Sequence, residues 1–322
     1  MYLACINSII LQLKAMYAIG ILTNESIWEE KLSGFSRDSN FHISGSFSEA
    51  SPELLPTNGV FMDSDVIWIP APGPGYIESA IQAVKLSRHV LFGFPVSKFP
   101  DQACLLVELA RESRVQVQVG HHEHYNPAYR SMSKLVQQPQ FIDLHHHLGP
   151  CGDDYGHALF HSLLSDIDMI ISLVPDGLKK TQSHFTHIRE DTPPVINVRL
   201  EFHNGTIANL SLDPFTPDRS LNIAVFQREN ILRVDLQGGT ATIEIFSRPG
   251  ISGPGSLANI WPLNGFPALE VDENDPEFIT GECLSFLHNL RNNLSPISSL
   301  EQGCEALKIT RGIFGKIPIT TG

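Results

Sequence analysis

Between Tyr17 and Gly120, short runs rich in Ile and Val alternate with stretches whose apolar residues recur at helical spacing. Tyr17 to Leu22 and Asp65 to Pro70 (DVIWIP) read as buried strands. Ile77, Ala80, Ile81 and Val84 mark a helix over Tyr76 to Leu86, and His89 to Phe92 returns to strand. Asp101 to Ser113 opens with an acidic turn and reads as an amphipathic helix, with Val115 to Gly120 as the next strand. This rhythm restricts the chain to βαβ units around a parallel sheet, wound on both faces.

Beyond about residue 122 the period changes to two. Phe141 to Leu148, Val195 to Phe202, Thr206 to Leu212, Leu221 to Phe226, Ile231 to Leu236 and Thr240 to Phe246 are expected to pair as antiparallel strands. Asn204-Gly205 between two of these runs is a specific hairpin signal. One long helix, Ala158 to Leu173, interrupts the strands. The Gly- and Pro-rich stretch Arg248 to Pro276 is expected to be a surface excursion without a regular element, followed by helices over Pro276 to Asn293 and Ser299 to Phe314. The division expected is a Rossmann-like domain over 16–121 and an α+β domain with a mostly antiparallel sheet over 122–322. Whether the final helices pack back on the first domain is left open.

The length of 322 residues agrees with two domains. A net charge of −13 repels phosphate backbones and anionic lipid headgroups, so neither nucleic acid nor a membrane surface is an expected partner. Five scattered cysteines without a CxxC pair argue against a disulfide framework and for a reducing cytoplasm. Tyr2 to Leu13 is apolar, too short to span a bilayer and without a basic leader, and Met16 is the expected start of the native chain.

Several motifs, taken in order, resemble the glucose-fructose oxidoreductase, inositol dehydrogenase and MocA (Gfo/Idh/MocA) family over nearly the whole chain. They are Ile69-Pro70-Ala71-Pro72 with Ala80, Ala83 and Arg88-His89-Val90-Leu91; Pro95; Val119-Gly120 with Tyr125-Asn126-Pro127-Ala128-Tyr129; and Glu282, Phe286, Leu287 and Leu290 with Ser299-Leu300-Glu301-Gln302-Gly303. The resemblance implies NAD or NADP as cofactor, a sugar-like small molecule as ligand, and homo-oligomers formed through the open face of the second sheet. It also makes Thr23, Asn24, Pro72 and Pro95 the candidate cofactor contacts, and Tyr76, Phe94, Ser165 and Asp168 the candidate substrate pocket.

The chemistry departs from that pattern. Gly20-Ile21-Leu22-Thr23-Asn24-Glu25-Ser26 contains no G-x-G-x-x-G turn for a pyrophosphate, and Phe41 to Phe47, the best candidate for the ribose-binding strand, is not closed by an acid. Gly93-Phe94-Pro95 stands where the family has Glu-Lys-Pro. The helix signature Gly-Gly-x-Leu-x-Asp-x-x-x-His-x-x-Asp aligns with Gly156 to Asp168, putting His161 at its first Asp and Ser165 at its His, with Asp168 retained. Tyr76 replaces a common histidine, and His124 stands where an arginine is common.

Fourteen histidines include His121-His122-Glu123-His124, His145-His146-His147 and the pair His157 and His161. The last pair shares a helix face at i, i+4, a spacing that can chelate zinc, but polar residues lining a pocket or simply exposed are the preferred reading and no metal site is assigned. In His145-His146-His147 the strand period sends the outer two to one face and the middle one to the other. The candidates for acid–base work are His161, His157 and His124. Two readings lead: a divergent NAD(P)-dependent oxidoreductase acting on a sugar, polyol or related carbonyl compound, and a non-catalytic pseudoenzyme in which cofactor binding is lost and the fold serves as a ligand-binding or assembly subunit; metal-assisted chemistry at His157 and His161 ranks third.

Overall fold

The computed structural model describes residues 16–23, 41–47, 58–70, 75–93, 100–149, 155–189, 192–245, 256–261 and 276–317. They divide into two compact units, Met1–His122 with Glu273–Cys304, and Glu123–Asp272 with Glu305–Gly322.

The first unit is built on β1 (Tyr17–Leu22), β2 (Phe41–Phe47), β3 (Val66–Ile69), β4 (His89–Gly93) and β5 (Val117–Gly120), all parallel in the order β2-β1-β3-β4-β5. The strands β1, β3 and β4 are buried from end to end, which is why their sequences are apolar without alternation. One face carries Leu22, Ile67, Ile69, Val90, Phe92, Val117 and Val119. They share a core with Ala80 and Val84 of α2 (Tyr76–Lys85) and Leu106 of α3 (Pro100–Ser113). The opposite face carries Tyr17, Ile19, Ile21, Trp68 and Leu91 and is closed by Cys283, Phe286, Leu287 and Leu290 of a helix we number α6 (Pro276–Asn292). The short α1 (Gly59–Asp63) precedes β3, and the Phe61 amide donates to Asn58 Oδ1 at 3.0 Å as its cap. The edge strand β5 is covered by returning chain: the Val119 amide donates to the Ser298 carbonyl, and Gln118 bridges Ser299.

The second unit begins with α4 (Pro127–Ser133). The Asn126 carboxamide oxygen accepts from the Ala128 and Tyr129 amides, and Pro127 takes the first helical position. Its sheet has eight strands: β6 (Phe141–His147), β7 (Leu178–Thr186), β8 (Val195–Phe202), β9 (Ile207–Asp213), β10 (Ser220–Phe226), β11 (Asn230–Asp235), β12 (Thr240–Ile245) and β13 (Ser256–Trp261). Their order is β13-β12-β11-β10-β6-β9-β8-β7. The long α5 (Tyr155–Leu173) follows β6 and packs against β9, covering the face that carries Ile142, Leu144, Val198, Leu210, Ile223 and Val225. The last helix, α7 (Leu300–Phe314), starts in the first unit and ends in the second, where Phe314 meets Phe160 edge-on at 5.3 Å.

The doubly wound parallel sheet and the second, mostly antiparallel sheet are both present as expected. Three expectations are corrected. The Arg248 to Pro276 stretch contains a strand, β13, paired antiparallel with β12. The period-two strands are not all antiparallel, because β6 and β9 run parallel at the centre of the sheet. An unanticipated strand, β7, forms the sheet edge beside β8; with Lys179, Lys180, Gln182 and His184 exposed it lacks the apolar run that betrays a buried strand.

Candidate functional site

In an open parallel sheet, ligands bind at the carboxyl ends of the strands where the order reverses. In the first unit the reversal falls between β1 and β3, since β2 lies on one side of β1 and β3, β4 and β5 on the other. Gly20 lies inside β1, and a Cβ at that position would stand 2.5 Å from Ser64 Oγ, so its smallness serves strand packing. Ser64 itself donates to the Val60 carbonyl and bonds Ser44 Oγ at 2.6 Å. Thr23 is buried, and its amide donates to the Phe47 carbonyl at 3.0 Å, continuing the pairing of β1 with β2. Asn24, Pro72, Phe94 and Pro95 lie outside the described residues. Tyr76 opens α2 behind the left-handed Gly75 and is buried in the core between α2 and the sheet.

At the far side of the same sheet edge, the carboxyl end of β5 meets α6. A Cβ at Gly120 would fall inside contact distance of both Glu282 carboxylate oxygens, and Glu282 is 9% exposed. At the amino edge, the charge of Arg291, near the end of α6, acts on the buried Tyr17 hydroxyl, whose pKa burial raises and Arg291 lowers in part, Asp65 adding to the rise. The helix therefore runs from the carboxyl edge to the amino edge of the sheet, with Glu282 at the end where ligands bind.

In the second unit the polar residues gather on α5 and the segments against it. His157, His161, Ser165 and Asp168 follow at intervals of four, four and three, so they form one stripe along the helix. Exposure falls along that stripe: His157 is exposed, His161 half-buried, and Ser165 and Asp168 are buried. The His157 and His161 rings lie 4.3 Å apart at 42°. At the buried end, His124 Nε2 stands 2.6 Å from Asp168 Oδ2. The position where the resemblance leads one to expect an arginine thus carries an imidazole that reaches the retained aspartate. His124 also packs edge-on against Tyr129 at 5.5 Å. The Tyr129 hydroxyl bonds Ser172 Oγ at 2.6 Å, and burial drives its pKa far above the ordinary tyrosine value, with Ser172 lowering it and Asp168 and Glu123 raising it. That phenol stays protonated.

A second buried pair went unread in the sequence. His146 Nδ1 lies 2.9 Å and 3.0 Å from the two oxygens of Asp166, which is wholly buried. Burial works against the charged imidazole and Arg219 adds to that. The charge and hydrogen bond of Asp166, with Glu123, outweigh both, so the His146 pKa stands above its usual value. Strand parity contains the signal, because His146 follows Ile142 and Leu144 on the helix-covered face and must find a partner there. The outer histidines point the other way. His145 bonds Asp143 at 3.0 Å, and His147 bonds Asp213. Burial tends to raise the Asp213 pKa, but hydrogen bonds from the Thr216 and Phe215 amides, from His147 and from the Thr216 hydroxyl bring it below the usual range.

No protein-family model and no curated protein sequence matches the chain. Solved structures do. UDP-N-acetylglucosamine 3-dehydrogenase from Acidithiobacillus ferrooxidans matches with a TM-score of 0.73 at 14% identity, covering 94% of this chain and 98% of its own. A putative NADPH-dependent oxidoreductase from Desulfitobacterium hafniense matches at 0.69 and 15% identity, covering 94% and 96%. A putative myo-inositol dehydrogenase from Sinorhizobium meliloti matches at 0.68 and 12% identity, covering 92% and 96%. The fold implied by the resemblance to Gfo/Idh/MocA dehydrogenases is therefore the fold this chain has, shared with these structures over nearly their whole length.

Proposed function

We propose that the chain is a divergent NAD(P)-dependent oxidoreductase-like protein whose ligand is a sugar, polyol or related carbonyl compound. The supporting observation is that this chain superposes over nearly its whole length on structures named as a UDP-N-acetylglucosamine 3-dehydrogenase and a putative myo-inositol dehydrogenase. A nicotinamide dinucleotide, when bound, supplies the hydride acceptor. What supports such a group is the order of the parallel sheet, which reverses beside β1, the place where a doubly wound fold receives a dinucleotide. The Thr23 amide is spent on Phe47, so it does not donate to a phosphate.

In the second unit, oxidation of a carbinol requires a base at its hydroxyl. His161 is the side chain best suited to act as that base. Its half-buried imidazole can accept a proton at a ring nitrogen and stands one turn before Ser165, which replaces the histidine of the family pattern. His157 stacks on it from the solvent side and can pass the proton outward. His124 and Asp168 hold each other and position the buried end of the helix.

A non-catalytic reading has its own support in the Thr23 amide and the burial of Ser165, both of which take groups away from a ligand. Calorimetric titration with NAD+, NADH, NADP+ and NADPH, alone and with sugars and polyols, separates the two. Heat with a dinucleotide and turnover lost in His161→Ala is the expected result. Binding of a sugar without any dinucleotide, and no turnover, establishes the pseudoenzyme instead. We further propose that the chain forms homo-oligomers through the face of the eight-stranded sheet that bears Phe141, His145 and Arg233.

A further inference from the structure

We propose that Glu282 is a ligand-contacting residue that addresses the nicotinamide riboside half of a bound dinucleotide and favours its oxidised form. The inference rests on the dinucleotide reading above and concerns a part of the sheet edge to which no role has been given. Glu282 belongs to the half of α6 that stands at the carboxyl edge of the parallel sheet, and its carboxylate lies against Gly120, the last residue of β5. Gln118 and Gly120 share a parity on β5, opposite to Val117 and Val119, which enter the core with α2 and α3. Glu282 thus comes to β5 from the α6 side, and only glycine leaves room for it. Any Cβ at residue 120 would displace both of its oxygens.

The strand order fixes which part of a dinucleotide this carboxylate meets. The pyrophosphate belongs at the reversal between β1 and β3. Three strand spacings separate β1 from β5, about 14 Å, which puts Glu282 well away from the phosphates that would repel it. It lies on the side of β3 and β4, opposite to β2. In a doubly wound fold the two nucleotides lie on opposite sides of the reversal, and β2 takes the ribose of the adenosine half. The nicotinamide riboside is then the half directed toward β4 and β5. Its oxidised ring is a cation and its reduced ring is neutral. A carboxylate that is nine-tenths buried attracts the former with little screening, and it accepts hydrogen bonds from a ribose hydroxyl or the carboxamide N–H.

The test is calorimetric titration of the full chain with NAD+, NADH, ADP-ribose and ADP. The unaltered protein is expected to bind NAD+ about tenfold more tightly than NADH. Glu282→Gln keeps the shape and removes the charge. It should weaken NAD+ by about tenfold, leave ADP unchanged and erase the oxidised-over-reduced preference. Gly120→Ala, which displaces the carboxylate without neutralising it, should reproduce that pattern. Loss on ADP-ribose as well as NAD+ identifies the ribose as the contact, and loss on NAD+ alone identifies the ring and its carboxamide. Equal affinity of the unaltered protein for NAD+ and NADH overturns the proposal without any variant. So does a Glu282→Gln protein that binds all four compounds normally or all four equally worse. If the unaltered protein binds ADP but neither NAD+ nor NADH, this proposal falls together with the dinucleotide reading.

Discussion

His89 shows how one side chain can carry a pH dependence that its sequence neighbourhood hides. It opens β4, is buried, and its Nδ1 accepts from the Gln116 amide at 2.9 Å. Burial lowers its pKa from 6.5 to about 4, against the raising effect of Asp65. The folded protein therefore holds His89 neutral where the unfolded chain protonates it, and stability rises with pH through this window. The contribution is complete above about pH 6.5 and is lost as pH falls toward 4. A lowering of this size corresponds to at most about 3 kcal/mol. His89→Asn, which retains an acceptor near Gln116 but does not titrate, should flatten the loss of stability between pH 6.5 and 4.5 in denaturant unfolding. An unchanged slope would mean that the pH dependence lies with other groups.

At the scale of elements, the buried join between α5 and β6 has the opposite sign. The His146 pKa is raised above its usual value by Asp166 despite burial, so the pair stabilises the fold fully below about pH 6.5 and progressively less as pH rises through the folded value. Asp166→Asn leaves the imidazole buried without its counter-charge and should cost about 3 kcal/mol at pH 6. The cost should be smaller at pH 9, as measured by urea unfolding at both values. The sequence carried half of this join. Its strand period correctly sends His145 and His147 to one face and His146 to the other, and the helix over Ala158 to Leu173 was legible from its apolar spacing, its first turn excepted. The partnership was not legible, because a buried aspartate in a helix looks like any polar residue until the strand beneath it is placed. The same limit explains β7, whose exposed lysines mask a strand held only by β8, and the parallel run of β6 beside β9, which no local pattern encodes. Where local chemistry suffices, as in the Asn204-Gly205 turn with Gly205 at φ +89° and Asn204 Oδ1 accepting from the Thr206 amide, the hairpin was read in place. The candidate site divided in the same way. The stripe from His157 to Asp168 follows from helical spacing, whereas Glu282 against Gly120 joins residues more than 160 positions apart and needs the folded chain to be seen.

For the whole molecule, the eight-stranded sheet has two unequal faces. The face under α5 is apolar, while the other alternates Phe141, Asp143, His145 and His147 on β6 with Ser220, Asn222, Ala224 and Phe226 on β10, all partly or fully exposed. Phe141 and Phe226 meet there at 5.5 Å, Arg233 lies 5.9 Å from the Phe226 ring, and Arg233 is 4.0 Å from Glu244. Charges of both signs around an aromatic pair make this face complementary to itself, which a two-fold interface requires, since each patch then meets its own copy. It also carries a net cost if left in water, because the aromatic pair stays partly exposed. Light scattering of the purified chain at micromolar concentration is therefore expected to give a dimer or a larger even-numbered species. Arg233→Glu places a negative charge beside Glu244 and beside its own copy across the axis. It should shift the species toward monomer, with the shift largest at low salt, where the repulsion is least screened. A wild-type chain that stays monomeric throughout the concentration range would assign the exposed aromatic pair to some other contact and remove the sheet face from the assembly.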